Sequence, residues 1–317
     1  MFFFISISTL IIGYISSYNL SKKIHVDLKV FNVFFIIKFL YVLIFIYFNI
    51  FSSFGTDSKS FYINSNNYSF STLPVGDNLI YGINLFLSKY FQLDFLSVNT
   101  IIFFPIIWST ILLLSVIEKL ERNFEKLIFY FLLILPSLNF WTSGLNKDML
   151  TYCALSFLIF NIIHKKNSLI FLSLFFIFLI RPFFLFFLLV SIIMVGIIYL
   201  LYNINFYKKK FNLLIITSSI FLIFFSIIII YLIAGNLMGS FGRYFLSGDI
   251  FAILESLQRH YYNTPLGIPI ETNSINRFFI YFFYPFPWTG LTNDLFYIVM
   301  ILENVFLIFI SLITFCN

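Results

Sequence analysis

Apolar positions in this chain neither alternate nor recur at a helical period; they run. Near-continuous apolar stretches occupy 2–17, 31–54, 95–117, 127–140, 149–163, 168–180, 183–202, 211–234 and 295–315, and a shorter one at 278–288 is broken by two prolines. Runs of this length read as helices rather than strands. Repeated along one chain, they predict an all-α polytopic bundle of about nine transmembrane helices, within a range of eight to ten. A transmembrane barrel would instead show ten-residue segments of alternating polarity. The whole chain, 1–317, reads as one polytopic membrane domain with two larger outer loops, 55–94 and 235–277, and short interfacial helices.

Composition strengthens that reading. Hydrophobic residues make up 61% and charged residues only 10%, whereas soluble domains carry about 25% charged residues. The 49 phenylalanines come with abundant Ile, Asn, Lys and Tyr, the signature of an AT-rich coding sequence, and carry no functional weight. Cys153 and Cys316 both fall in apolar runs and read as small buried hydrophobes rather than a disulfide. The opening "MFFFISISTLIIGYISS" has no basic start and no small-residue cleavage site, which predicts a membrane anchor.

Charge orients the spans. Basic residues cluster at Lys22, Lys23 and Lys29, at Lys119, Arg122 and Lys126, at Lys165 and Lys166, and at Lys208–Lys210. These four segments alternate so as to share one side, which the positive-inside rule makes the cytoplasm. The outer side then receives "GTDSKSFY", the turn "WTSGLNKD", Arg181-Pro182, the loop 235–277 and "YPFPW".

The turn in "FWTSGLNKDML" places polar and charged groups between two arms of about 14 and 15 residues, roughly 21–23 Å of helix. A full crossing needs about 20 residues. Such tips are recessed, and Lys147, Asp148 and Arg181 facing lipid there would each cost several kcal/mol. An outward polar cavity lined by the tips, with Trp141 and Ser143 in its wall, satisfies both constraints. Asp148 also suits the first turn of a helix, and Trp141 also suits an interfacial anchor.

Of five arginines, Arg181, Arg243, Arg259 and Arg277 fall on the outer face and Arg122 does not. The planar guanidinium fork grips phosphate with two parallel bonds. Arg181, Arg243 and Arg277, with Lys147, are therefore the candidate phosphate-binding residues. Arg259 stands four residues after Glu255 and reads as part of a surface ion pair. Asp57 in the first outer loop is a candidate general base beside Asp148, with Asp77 and Asp94 as rivals. Lys38 lies in the second run near its cytoplasmic end and is expected to snorkel out. Glu303, inside the last run, is expected to face protein. The three histidines are widely separated, so no zinc site is expected. "GNLMGSFG" lacks the Lys-Ser/Thr ending of a phosphate loop and reads as helix packing.

The order of these features resembles bacterial polytopic proteins of surface-polysaccharide loci, the O-antigen-polymerase-like (Wzy-type) proteins and relatives of the type-C glycosyltransferases. The likeness spans roughly 51–303. Its most specific element is the Ser-Gly followed by Lys-Asp that Ser143, Gly144, Lys147 and Asp148 supply after Pro136. One departure is Thr289, where a Glu often follows the Trp, here Trp288. The resemblance implies transfer or polymerisation of a glycan from a polyprenyl-(di)phosphate-linked donor on the periplasmic face of the inner membrane. Membrane lipids are the other expected partners; no nucleic acid, cofactor or metal is expected. A flippase or transporter for lipid-linked oligosaccharide, and a non-catalytic scaffold subunit, are the alternatives.

Overall fold

In the computed structural model, residues 2–51, 57–65 and 75–182 are described, with 184, 185, 188, 189, 191, 192, 303 and 305. Every regular element among them is helical: α1 (Phe2–Lys23), α2 (Leu28–Phe51), α3 (Asp57–Ser65), α4 (Asp77–Leu85) prolonged by one π turn (Phe86–Tyr90), α5 (Phe95–Ile101), α6 (Phe103–Ile117), α7 (Asn123–Ile134), α8 (Pro136–Trp141), α9 (Lys147–Ile163) and α10 (Asn167–Ile180). The expected all-α class is observed. Among the described residues, two helical stretches, Leu28–Ile50 and Phe95–Ile117, are long and apolar enough to cross a membrane, and Asn167–Ile180 is a shorter apolar helix. The runs 183–202, 211–234, 278–288 and most of 295–315 lie outside the described residues. The chain divides into two units, Met1–Ile180 with Glu271–Asn317, and Arg181–Ile270.

Local chemistry sets the breaks. The expected run 127–140 is two helices, because Leu135 is extended (ψ 127°) before Pro136, which opens α8. The proline ring disfavours the helical region for the residue before it. The buried Asn139 amide repairs the break by donating to the carbonyls of Leu133 (2.9 Å) and Leu135 (2.8 Å). α1 and α9 end alike. His25 (φ 60°) and Lys165 (φ 54°) turn left-handed, while Val26 N–H returns to Ser21 O and Lys166 N–H to Asn161 O, both at 3.0 Å. Glycine normally takes that position.

α6 sits at the centre of the first unit, with Phe103, Ile106, Ile107, Ile111 and Leu114 fully buried. Phe35 and Phe39 meet the Phe103 ring edge-on at 5.0 and 5.4 Å. α2 is apolar on its outward face too: Val33, Ile36, Leu40, Ile44 and Tyr47 form an exposed stripe of more than three helical turns. Beyond its first two turns, where Lys29 and Asn32 are exposed, its polar residues Lys38 and Asn49 are buried. Water opposes that arrangement, whereas hydrocarbon favours it. In lipid, apolar burial itself gains little, so close packing and interhelical hydrogen bonds carry the association. One such bond joins Thr110 Oγ1 of α6 to Tyr152 OH of α9 at 2.9 Å.

Two of the turns that the charge pattern assigns to one side meet. Lys119 Nζ, after α6, lies 2.8 Å from His164 Nε2, after α9. Tyr130 of α7 donates to Glu118 at 2.8 Å and packs on Phe34, near the start of α2. Lys208–Lys210 lie outside the described residues.

Lys38 departs from expectation. Helix α2 begins at Leu28, which sets Lys38 near mid-helix rather than close to an end. Its side chain is fully buried, with Nζ 4.7 Å from the centroid of the Tyr152 ring and no hydrogen-bond partner among the described residues. It does not snorkel. The Tyr152 ring of α9 faces its amine instead.

Candidate functional site

At the end of the first unit opposite the basic turns, four short segments converge. The first is the turn 142–146 between α8 and α9, whose polar side chains close on their own backbone. Thr142 Oγ1 donates to Leu138 O (2.6 Å) and Ser143 Oγ to Asn139 O (2.5 Å). Asn146 Nδ2 donates to Trp141 O (2.8 Å), while Asn146 Oδ1 caps α9 by accepting from Met149 N (2.8 Å). Thr142, Ser143, Leu145 and Asn146 are buried, and Trp141, stacked edge-on against Phe140, is at the surface. Lys147 and Asp148 form the first turn of α9.

The second segment is the start of α4. Gly76 adopts φ 63°, the left-handed region open to glycine, and its N–H donates to Leu179 O at 2.7 Å. That bond fixes α4 to the end of α10. Asp77, the next residue, meets Lys147 with Oδ1 2.5 Å from Nζ. The carboxylate considered as a rival base is therefore the ion-pair partner of the lysine considered for phosphate. Both side chains are part-exposed, so the pair adds at most about 1 kcal/mol to stability; its interest is that the cation is positioned.

The third segment is α3, with exposed Asp57 in its first turn. α3 packs on α4 through Phe61 and Tyr81, ring centroids 5.2 Å apart. Burial, then the negative field of Asp77, raises the Tyr81 phenol above its ordinary pKa; Asp57 adds to the rise and a hydrogen bond with Asn64 opposes it. Asp57 and Asp77 thus act on one side chain. The other rival, Asp94, is a helix cap, its Oδ1 accepting from Ser97 N at 3.0 Å. Tyr62 donates to Leu93 O at 3.0 Å, and burial followed by the charge of Asp94 raises its phenol as well.

The fourth is Asn99 near the start of the α5–α6 span, buried and invisible in the sequence except as an amide inside an apolar run. Its Oδ1 accepts from Ser58 Oγ (3.2 Å) and from Leu145 N (3.0 Å), and its Nδ2 donates to Phe95 O (2.8 Å). No family model, no curated protein and no solved structure matches this chain. The site is therefore read from its own residues.

Arg181 opens the second unit, with its carbonyl accepting from Leu185 N at 3.2 Å. Arg243, Arg277 and Trp288 lie outside the described residues. Among the described residues, no three of His, Cys, Asp and Glu group closely enough to hold a metal. Cys153 is a free thiol whose Sγ lies 3.5 Å from Pro105 O; Cys316 lies outside the described residues. Glu303 has a partner that the sequence did not name: its carboxylate accepts from both the backbone N–H (2.8 Å) and the hydroxyl of Ser137, in the first turn of α8.

What the arrangement offers is a placed cation with a displaceable carboxylate beside it, and a second carboxylate on the adjoining helix. An anionic ligand arriving at Lys147 would compete with Asp77 for the ammonium.

Proposed function

We propose that this chain is a membrane-embedded glycan transferase or polymerase. In this reading it has about nine spans, resides in the bacterial inner membrane and works on its periplasmic face with a polyprenyl-(di)phosphate-linked donor. The observation that carries the reading is the Lys147–Asp77 pair (2.5 Å), held where short helices end. α9 has 17 residues and α10 has 14, roughly 26 and 21 Å. In a bilayer their ends stop short of bulk water, at the depth of a lipid-linked phosphate.

The reaction is a displacement at the anomeric carbon. An acceptor hydroxyl attacks, Asp57 or Asp148 takes its proton, the bond from carbon to phosphate oxygen breaks, and polyprenyl (di)phosphate leaves. Lys147 balances the departing charge; Arg181, Arg243 and Arg277 are candidate phosphate ligands on the strength of their guanidinium forks alone. Trp141, at the surface, and Trp288 shape the sugar-binding surface, whereas the expected place of Ser143 in the cavity wall does not hold: its hydroxyl is buried and donates to Asn139 O. Lys38 favours a second reading. A fully buried amine at mid-helix fits a transporter of lipid-linked oligosaccharide, in which intramembrane charges mark the route.

The test is deletion of the gene followed by gel analysis of surface-glycan chain length, with complementation. Deletion should leave donor-linked units unextended, and Arg181→Lys, which keeps charge but loses the fork, should restore little. Lys147→Ala should restore little while the protein still accumulates in the membrane. Unchanged glycan in the deletion strain would end this reading. Accumulation of lipid-linked units on the cytoplasmic side would transfer support to transport.

A further inference from the structure

We infer that Asn99 is a positioning residue that locks the Asp57-bearing helix and the Lys147-bearing turn into one frame; the inference rests on the proposed function. Two donors from segments 41 and 46 residues away in sequence converge on its single Oδ1, namely Ser58 Oγ and Leu145 N–H. Ser58 follows Asp57 directly, and Leu145 stands two residues before Lys147. The amide orientation is decided by its neighbours. Nδ2 donates to Phe95 O within its own helix, which turns Oδ1, with both lone pairs used, toward the two donors.

Ser58, Asn99 and Leu145 are each 1% exposed, so water cannot replace a lost partner. An aspartate at 99 would keep the acceptor, whereas a leucine of similar size would keep the shape and lose it. The Ser58 hydroxyl can rotate toward another acceptor, but the Leu145 N–H cannot. Asn99 therefore sets the distance between a candidate base and the candidate phosphate cation without touching either ligand.

Hydrogen exchange of the purified full-length chain, read by mass spectrometry, tests the frame. Asn99→Leu should speed exchange in 57–65 and at the amide of residue 145 together, by about tenfold, as expected for one lost buried hydrogen bond. Ser58→Ala should speed only 57–65, and Asn99→Asp should leave residue 145 protected. Speeding of one segment alone by Asn99→Leu, or of neither, overturns the frame. In the deletion strain, Asn99→Leu should fail to restore long-chain glycan at normal membrane level, and Asn99→Asp should restore it. Full restoration by Asn99→Leu overturns the positioning role. Should Asn99→Leu not accumulate, Ser58→Ala and Asn99→Asp make the same separation: loss of protection at residue 145 in Asn99→Asp, or in Ser58→Ala, counts against the fork. If deletion leaves surface glycan unchanged, the proposed function falls, and the exchange results still decide whether the frame exists.

Discussion

Gly144 lies against the ring of Phe45 so closely that a β-carbon built at 144 would fall 2.1 Å from Cε1 and 2.3 Å from Cζ. The ring has little room to yield, since Phe45 is fully buried and packs on Phe140 with centroids 5.3 Å apart. The Ser-Gly of the turn is thus a packing requirement of α2 before it is anything chemical. Gly144→Ala should cost about 1–3 kcal/mol, the usual range for overpacking. Thermal unfolding of the detergent-solubilised protein measures it, and Phe45→Leu in the same chain should recover part of the loss. An unshifted Tm for Gly144→Ala would mean that helix and turn are not in contact.

Lys38 sets two magnitudes against each other. A lysine at the centre of a membrane helix costs about 2.5–3.5 kcal/mol on insertion scales. A desolvated cation–π contact such as that with Tyr152 returns about 2 kcal/mol. The balance predicts that Lys38→Met, which fills the same volume, stabilises the protein by on the order of 1 kcal/mol. If the variant is more stable and still restores glycan, the lysine has no part in transfer. Loss of glycan from a stable, abundant Lys38→Met protein would instead favour the transport reading.

Glu303 joins the last predicted span to α8 through Ser137. It is buried, so its removal leaves two donors without a charged acceptor. Glu303→Leu should lower stability by about 3–6 kcal/mol, since each of the two hydrogen bonds to the charged group contributes about 1.5–3 kcal/mol. Glu303→Gln, which keeps one carbonyl acceptor, should lose distinctly less. Equal losses in the two variants would show that the carboxylate's hydrogen bonds are not what holds the helices together.

Sidedness can be read with single cysteines introduced after replacement of Cys153 and Cys316. An impermeant thiol reagent applied to intact cells should label Asn66→Cys and leave Lys166→Cys and Lys209→Cys unlabelled until the membrane is permeabilised. Labelling of Lys166→Cys in intact cells would invert the orientation and place the Lys147 end inside.

The helical class was legible in the sequence because runs of apolar residues leave the backbone no partner but itself in lipid. The breaks were partly legible: Pro136 marks the extended Leu135 before it, and the basic clusters mark turns that Lys119 and His164 bring within 2.8 Å of each other. Lys147 was identifiable as a charge between two short arms. That its partner is Asp77, rather than the adjacent Asp148 or the more distant Asp57, depends on Gly76 tying α4 to Leu179. No local pattern encodes that contact. The destination of Lys38 likewise turned on tertiary structure. Sequence position allows a long flexible side chain to reach for the surface, and only the packed structure shows it buried with its amine facing the Tyr152 ring of α9. Asn99 shows the same division: its amide is visible in the sequence as one polar residue in an apolar run, but the two donors that use it come from segments folded together only in three dimensions. Solvent preference is a property of each residue and accumulates along the chain, whereas hydrogen-bond partnership belongs to pairs and exists only once the helices have packed.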